Sequence, residues 1–131
     1  MLAQKNRFHG HHSLDLVYRN GFSLSLDNVG LRYLNTGPTS VTRGAVVISK
    51  KVAKSAVSRN RIRRQIYELI RLNLDNFKQP VSLIITIHHE KVLQLTPNKL
   101  KALILNLFIK SNLIDQNTSK HAIVETKKEV S

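Results

Sequence analysis

The chain has 131 residues, which suits one domain of ordinary size. It carries 21 lysines and arginines against eight acidic residues, a formal charge of +13. So much positive charge favours an anionic partner, with nucleic acid first and an anionic membrane surface second. The lack of cysteine excludes a disulfide scaffold, a thiolate zinc site and a cysteine nucleophile. Because no signal peptide or membrane span is recognisable, we expect a soluble, cytoplasmic protein.

The first predicted element is a short helix. Ser13 is a typical N-cap and Gly21 a typical stop. Between them Leu14, Val17 and Tyr18 recur at intervals of three and four, which places them on one side of the helix. This spacing is equally typical of a core stripe, so it does not by itself separate a binding side chain from a packing one.

Three strands are predicted next. Residues 22–26 and 29–34 alternate in polarity and are typical of two strands, and Gly37-Pro38 marks a turn. Residues 45–50 are rich in β-branched side chains and predict a third strand. Residues 51–58 have no clear period, so their structure stays open.

A long helix is predicted over residues 57–76. At about 100° per residue, its apolar side chains fall within one arc, which comprises Ile62, Ile66, Leu69, Ile70 and Phe77. The opposite side is mostly cationic and comprises Asn60, Arg61, Arg64, Tyr67 and Arg71, with Arg63 at its edge. Arg59 falls near the apolar arc, at the start of the helix.

The remaining pattern predicts a strand, a helix and a tail. Residues 81–87 are apolar on both faces, as in a buried central strand. Thr96 and Pro97 are typical of a helix start, and the apolar stripe after them continues to about Leu113. Residues 115–131 are polar, lack a period and have no net charge, which predicts a disordered tail. Residues 1–114 then form one α+β domain with helices packed on a small sheet, in which the strands flanking the long helix can pair in parallel.

The positive charge is concentrated in residues 43–71, which hold nine basic residues and one acid, Glu68. A solvated surface normally mixes both signs, so a merely soluble basic face is the weaker interpretation. Arginines along one helix face can each bind a phosphate with two hydrogen bonds, and the start of a helix favours phosphate as well. The pattern therefore favours nucleic-acid binding.

Catalysis by protein side chains is not indicated. The few acids form no evident acid/base pair, and no nucleophile elbow or phosphate-binding glycine loop is present. His9, His11 and His12, and the run His88-His89-Glu90, could each bind a metal. Neither group has the helical spacing of a zinc protease, so we interpret them as surface or strand-end residues.

Residues 49–68, Ser-Lys-Lys-Val-Ala-Lys-Ser-Ala-Val-Ser-Arg-Asn-Arg-Ile-Arg-Arg-Gln-Ile-Tyr-Glu, resemble the protein component of bacterial ribonuclease P. The similarity rests on the lysine pair after a strand, on Ala56-Val57 and on the run Arg59-Asn60-Arg61-Ile62-Arg63-Arg64, and it extends loosely from Asn6 to Leu113. It implies a two-layer α+β sandwich with a mixed four-stranded sheet in the order α-β-β-β-α-β-α. It also implies a left-handed β-α-β crossover, which the general rule would not have supplied.

The resemblance implies a non-catalytic subunit of an endoribonuclease, a hydrolase that removes the 5′ leader from precursor tRNA. A catalytic RNA, which holds the Mg²⁺, cuts the bond, and one protein binds each RNA. The RNA-docking residues it implies, with the neighbouring members of the basic window, are Lys50, Lys51, Lys54, Arg59, Asn60, Arg61, Arg63, Arg64 and Arg71. The single-stranded leader is expected in a cleft between the first helix and the sheet, lined by Leu14, Tyr18, Leu31, Tyr33 and His88.

Two alternatives remain. A general RNA-binding or RNA-chaperone module would bind unrelated structured RNAs with similar affinity. A peripheral membrane protein would need large apolar residues facing lipid beside the basic helix. The apolar arc instead has the size of a core stripe, so the membrane alternative ranks last.

Overall fold

The computed structural model describes residues 2–8, 11–38 and 40–115, except the side chains of residues 11–13. Within these ranges it has three helices on a four-stranded mixed sheet, which confirms the predicted α+β class and element order. The helices and strands are α1 (His11–Asn20), β1 (Phe22–Leu26), β2 (Val29–Asn35), β3 (Arg43–Ile48), α2 (Ala56–Leu72), β4 (Val81–Ile87) and α3 (Pro97–Lys110). The predicted tail, apart from Asp115, lies outside the described residues.

The sheet has the order β1-β2-β4-β3. The β1–β2 and β2–β4 pairs are antiparallel, whereas β3 and β4 are parallel and α2 connects them. The parallel pair was expected from the two strands flanking the long helix, and the handedness of its crossover stays a prediction. β4 is central and is buried along six of its seven residues, as its continuous apolar run predicts.

The main core lies between one face of the sheet and the helices α2 and α3. Leu31 on β2 lies opposite Ile85 on β4, and Ile85 lies opposite Val46 on β3, so one row of apolar side chains crosses the sheet. The helices add buried side chains at the predicted spacings, namely Ile62, Ile66, Leu69, Ile70, Leu100, Leu103, Ile104 and Leu107. Each buried side chain of this size stabilises the fold by about 1.5–3 kcal/mol.

The opposite face of the sheet is covered in part by α1, which packs over β2 and β4. Val17 on α1 and Ile84 on β4 are both buried and lie outside the main core cluster. Because α1 is one short helix, it leaves the β3 side of this face open, where Val47 is 38% exposed.

Several predicted boundaries were wrong. α1 begins at His11 rather than at Ser13, β3 begins at Arg43, and α3 ends at Lys110 rather than near Leu113. α2 begins at Ala56, where the hydroxyl of Ser55 accepts a hydrogen bond from the Ser58 amide at 3.3 Å. The cap also divides the segment at residues 51–58, whose pattern left its structure open: residues 56–58 belong to α2, and residues 51–55 precede it.

The far end of α2 differs from the prediction because the helix stops at Leu72. Phe77 therefore lies beyond the helix, and its ring packs edge-on against Phe108 at 5.2 Å between centroids. Tyr67, which was predicted on the cationic face, packs against the core instead, and its hydroxyl accepts a hydrogen bond from the Val46 amide at 3.4 Å. Among the described helices, none is long and apolar enough to cross a membrane.

Candidate RNA interface

The turn between β3 and α2 presents three predicted RNA-binding lysines. The carbonyl of Ser49 accepts hydrogen bonds from the amides of Val52 and Ala53, both at 3.1 Å. Ala53 is buried, which anchors the turn to the core. The side chains exposed by this turn are Lys50, Lys51 and Lys54. They lie directly before the start of α2, where the helix dipole adds to their positive potential.

Arg59 holds this turn against the helix. Its guanidinium donates hydrogen bonds to the carbonyls of Ala53 at 2.5 Å and Lys54 at 3.0 Å. These hydrogen bonds show how a charged side chain is accommodated near the apolar arc of α2. The Arg59 side chain folds back over the start of the helix rather than projecting into solvent. Arg59 therefore positions the lysines, while its remaining donors stay available to RNA.

Two further members of the predicted set are also bonded within the protein. The guanidinium of Arg61 donates to the carbonyl of Leu93 at 3.0 Å, which ties α2 to the 3-10 turn at Glu90–Gln94. Arg63 donates to the side-chain oxygen of Asn60 at 3.4 Å. Both arginines are therefore oriented before any ligand binds.

Arg64 is exposed, and it differs from these arginines because it forms no hydrogen bond or ion pair with another described residue. It lines a groove between α2 and the start of α3 together with Gln65 and Lys101. Lys101 was missed in the sequence because its helix shows no cationic stripe. Lys50, Lys51, Lys54 and Arg64 are the exposed basic members of the predicted RNA-docking set whose charged groups form no hydrogen bond or ion pair with another described residue, and we call them the cationic patch.

Arg71 does not belong to the cationic patch, because it is paired with Glu68. Its Nε donates to Glu68 Oε2 at 3.0 Å, and its Nη2 donates to the other carboxylate oxygen. The hydrogen bond from Arg71 holds the pKa of Glu68 below its ordinary value, and the same bond raises the pKa of Arg71. The pair thus neutralises one of the charges counted in the basic window.

α1 covers only part of the sheet face on which it packs, and we call the open part of this face, beside Tyr18 and Arg32, the cleft. The guanidinium carbon of Arg32 lies 5.5 Å from the centroid of the Tyr18 ring, and Arg32 Nη1 donates to the Tyr18 carbonyl at 3.2 Å. Tyr18 nevertheless remains 44% exposed, so part of its ring is free to contact a ligand. Leu14, one turn earlier, is half-buried.

His88 lies at one end of the cleft, at the end of β4, and its position depends on Gly30. A Cβ atom at Gly30 would lie 2.6 Å from His88 Nε2, closer than two such atoms can approach. The missing side chain therefore allows the imidazole to lie against the β2 backbone. The His88 amide is fixed as well, because it donates to the Asn28 carbonyl at 2.9 Å.

Two residues predicted for the cleft lie on the other face of the sheet, which packs against α2 and α3. Leu31 is 1% exposed within the main core, and Tyr33 packs against the same core. Since side chains alternate along a strand, Arg32 between them faces α1 instead. The alternation of β2 separates Leu31 and Tyr33 from Gly30, Arg32 and Leu34, but it does not by itself specify which set faces α1.

The open floor of the cleft is formed by small side chains that the sequence did not reveal. Ala45 and Val47 on β3 alternate with the core residues of that strand, and Val47 lies opposite Thr86 on β4. Arg43 stands at the other end of the same face, and its buried Nε has no hydrogen-bond partner among the described residues. Knowing which residues of β3 enter the core would have identified Arg43, Ala45 and Val47.

The described residues do not fit a protein-held Mg²⁺ site. No three of their His, Cys, Asp or Glu side chains lie close enough together to hold a metal ion. His89 Nδ1 accepts a hydrogen bond from the Lys91 amide at 3.1 Å, so this ring caps a turn. The side chains of His9, His11 and His12 lie outside the described part of the chain.

Comparison with known proteins identifies related sequences and folds. A family model for ribonuclease P matches residues 2–112. The chain is 33% identical over 87 residues to the ribonuclease P protein component of Pseudanabaena sp. (strain PCC 6903), covering 66% of this chain and 75% of the relative. It is 30% identical over 126 residues to that of Prochlorococcus marinus (strain MIT 9312), covering 86% and 98%. The fold is similar to the RNase P protein of Staphylococcus aureus, with a TM-score of 0.74 at 17% identity over 84% of this chain and 98% of that one.

Proposed function

Because the chain belongs to the ribonuclease P protein family, which acts in tRNA processing, we propose that it is the protein subunit of a ribonucleoprotein that removes the 5′ leader from precursor tRNA. One protein binds one catalytic RNA in the cytoplasm. The RNA holds the Mg²⁺ and cuts the bond. The protein supplies binding and orientation, which agrees with a site made of basic, aromatic and small apolar side chains.

The observation that carries this proposal is that β3, which forms part of the cleft, leads directly into the turn that carries the three lysines of the cationic patch. β3 forms the open floor of the cleft and ends at Ile48, two residues before Lys50. A structured RNA bound to the patch therefore leaves the neighbouring cleft free for a single strand. A general RNA-binding surface needs only the patch, whereas a substrate with both a folded body and an unpaired leader needs both.

Each part of the interface has a distinct role in this proposal. The lysines and Arg64 neutralise phosphates of the catalytic RNA, and Arg59 and Arg61 keep the turn and helix in place for them. In the cleft, the exposed part of Tyr18 offers a stacking surface for a leader base. Such stacking contributes about 1–3 kcal/mol per base. Arg32, which lies against the same ring, is close enough to add a phosphate contact.

The test is reconstitution with the ribonuclease P RNA from the same genome. We expect the full chain to raise the rate of precursor tRNA cleavage at low Mg²⁺, and Tyr18→Ala to reduce affinity for precursor tRNA with little effect on mature tRNA. Leu72→Ala, which removes an exposed apolar side chain outside the cleft, is the matched control. No gain in cleavage would overturn the proposal. Equal losses with both tRNAs would remove Tyr18 from leader binding.

A further inference from the structure

A second aromatic site lies at the open edge of the sheet, apart from the cleft. Phe22, the first residue of β1, is 64% exposed. Its ring lies 5.7 Å from that of Tyr33, with an angle of 33° between the two planes. Both rings border a pocket whose rim includes Lys78 and Asn112. We call Phe22, Tyr33, Lys78 and Asn112 the edge pocket.

The edge pocket is on the opposite face of the sheet from the cleft. Phe22 lies opposite Tyr33 in the β1–β2 register, and Tyr33 shares its face with Leu31 in the main core. The two sites nevertheless lie at the same end of α1, because Phe22 follows Tyr18 by only four residues. Gly21 allows this, since a Cβ there would lie 2.4 Å from the Val17 carbonyl oxygen.

The polar rim of the edge pocket is held in place by the backbone. The Lys78 amide donates to the Leu113 carbonyl at 2.9 Å, which joins the segment before β4 to the segment after α3. Asn112 has a left-handed backbone, with φ of 63°, which asparagine tolerates better than most residues. Lys78 Nζ donates to Asn112 Oδ1 at 2.7 Å, so the side-chain NH₂ of Asn112 remains a donor. The rim is therefore built before a ligand arrives.

The side chains that line the edge pocket are suited to binding the base and the phosphate of one nucleotide. A lone exposed aromatic side chain is common on protein surfaces, so Phe22 alone would mean little. Here the exposed ring is bordered by amide groups of Asn35, Gln79 and Asn112, which can donate to and accept from a base edge. Lys78 supplies a positive charge for a phosphate, and none of the described residues that line the pocket is acidic.

We propose that the edge pocket binds one unpaired nucleotide of RNA, with its base stacked on Phe22 and its phosphate at Lys78. This inference rests on the proposed function in taking RNA as the partner, and it adds a contact outside the leader cleft. Aromatic stacking of this kind tolerates any base, because every base has a flat face. The edge pocket therefore extends the bound length of a single strand.

The full chain contains no tryptophan, so Phe22→Trp places one fluorescent indole in the edge pocket. We expect a short oligoadenylate to quench its emission in a saturable manner. The same quench should persist when Tyr18→Ala is added. With a labelled oligoadenylate, fluorescence anisotropy should show that Phe22→Ala weakens binding about five- to 150-fold. Leu72→Ala, whose side chain is 57% exposed outside the pocket, should leave the affinity unchanged.

An indole emission that stays constant while anisotropy reports saturation would overturn the inference, since the pocket would then be empty in the RNA complex. That result would leave the proposed function intact. Conversely, quenching without any gain in precursor tRNA cleavage would retain the edge pocket as an RNA site and reject the proposed function. If Phe22→Ala failed to fold, the tryptophan variant would decide the question alone.

Discussion

Substituting Arg64 by glutamine should remove one phosphate contact from the complex with the catalytic RNA. Arg64 is exposed, and it has no hydrogen-bond or ion-pair partner among the described residues. Its charge is therefore available to RNA, and its loss leaves no buried group without a partner. We expect the stability of the protein to change by less than about 0.5 kcal/mol.

The magnitude follows from counterion release. The logarithm of the affinity falls linearly with the logarithm of the salt concentration, and the steepness of this fall is called the slope here. Each neutralised phosphate contributes about 0.7–0.9 to it. The four members of the cationic patch together should therefore contribute about 3–4 to that slope. Arg64→Gln should lower the slope by about 0.7–0.9, so that between about 50 and 200 mM salt the variant loses roughly threefold less affinity than the wild type.

Arg71→Gln is the matched control, because Arg71 lies on the same helix but is paired with Glu68. Its effect on the slope should be clearly smaller. Glu68→Gln should have the opposite effect and raise the slope, since it releases Arg71. Because the pKa of Glu68 is held below its ordinary value by Arg71, the carboxylate stays ionised at neutral pH. The difference between wild type and Glu68→Gln should shrink only as the pH falls through that lowered pKa.

The assay is filter binding or anisotropy with the catalytic RNA across a salt series, on folded variants of equal thermal stability. An Arg64→Gln slope equal to that of the wild type would refute the reasoning, because the exposed face of α2 would then lie outside the interface. Equal effects of Arg64→Gln and Arg71→Gln would show that the ion pair opens on binding. In that case the contrast drawn between the two arginines would be wrong.

Three further substitutions test the supporting contacts. Arg59→Lys should lower the free energy of unfolding in urea by about 1–2 kcal/mol, since an ammonium group cannot span the two carbonyls as a guanidinium does; an unchanged midpoint would reject this role. Gly30→Ala should displace His88 and weaken precursor tRNA binding several-fold without changing affinity for the catalytic RNA, whereas equal changes in both would contradict it. Ser55→Ala should cost about 1 kcal/mol in thermal unfolding through the lost cap, and no loss would mean that water replaces it.

The sequence predicted the structure best where a pattern of residues is typical of only one local structure. Thr96 followed by Pro97 predicts a helix start, and the hydroxyl of Thr96 accepts from the Lys99 amide at 3.3 Å as expected. The apolar arc of α2 likewise identified the buried residues of that helix. Such patterns depend on contacts within one element, so they can be deduced without knowing its neighbours.

The wrong predictions concern residues whose placement depends on the elements that pack against their own strand or helix. Both faces of the sheet are covered, by α2 and α3 on one side and in part by α1 on the other, so the alternation of β2 does not tell which of its two sets of side chains faces α1. The resemblance placed Leu31 and Tyr33 in the cleft, and the alternation could not correct this, although Arg32 faces it. Tyr67 was misplaced for a related reason: its ring is apolar enough to pack against β3, while its position on the helical wheel places it among arginines. The pairing of Arg71 with Glu68 could have been suspected from their spacing of three residues.

The central claim is that this protein serves one particular RNA, and the most direct measurement is to sequence the RNA that co-purifies with the full chain from its own cells. We expect ribonuclease P RNA to dominate the bound fraction, and we expect charge reversal in the cationic patch with Lys51→Glu and Arg64→Glu to remove it. A bound fraction that mirrors the abundance of unrelated structured RNAs would contradict the account. It would identify a general RNA-binding protein instead.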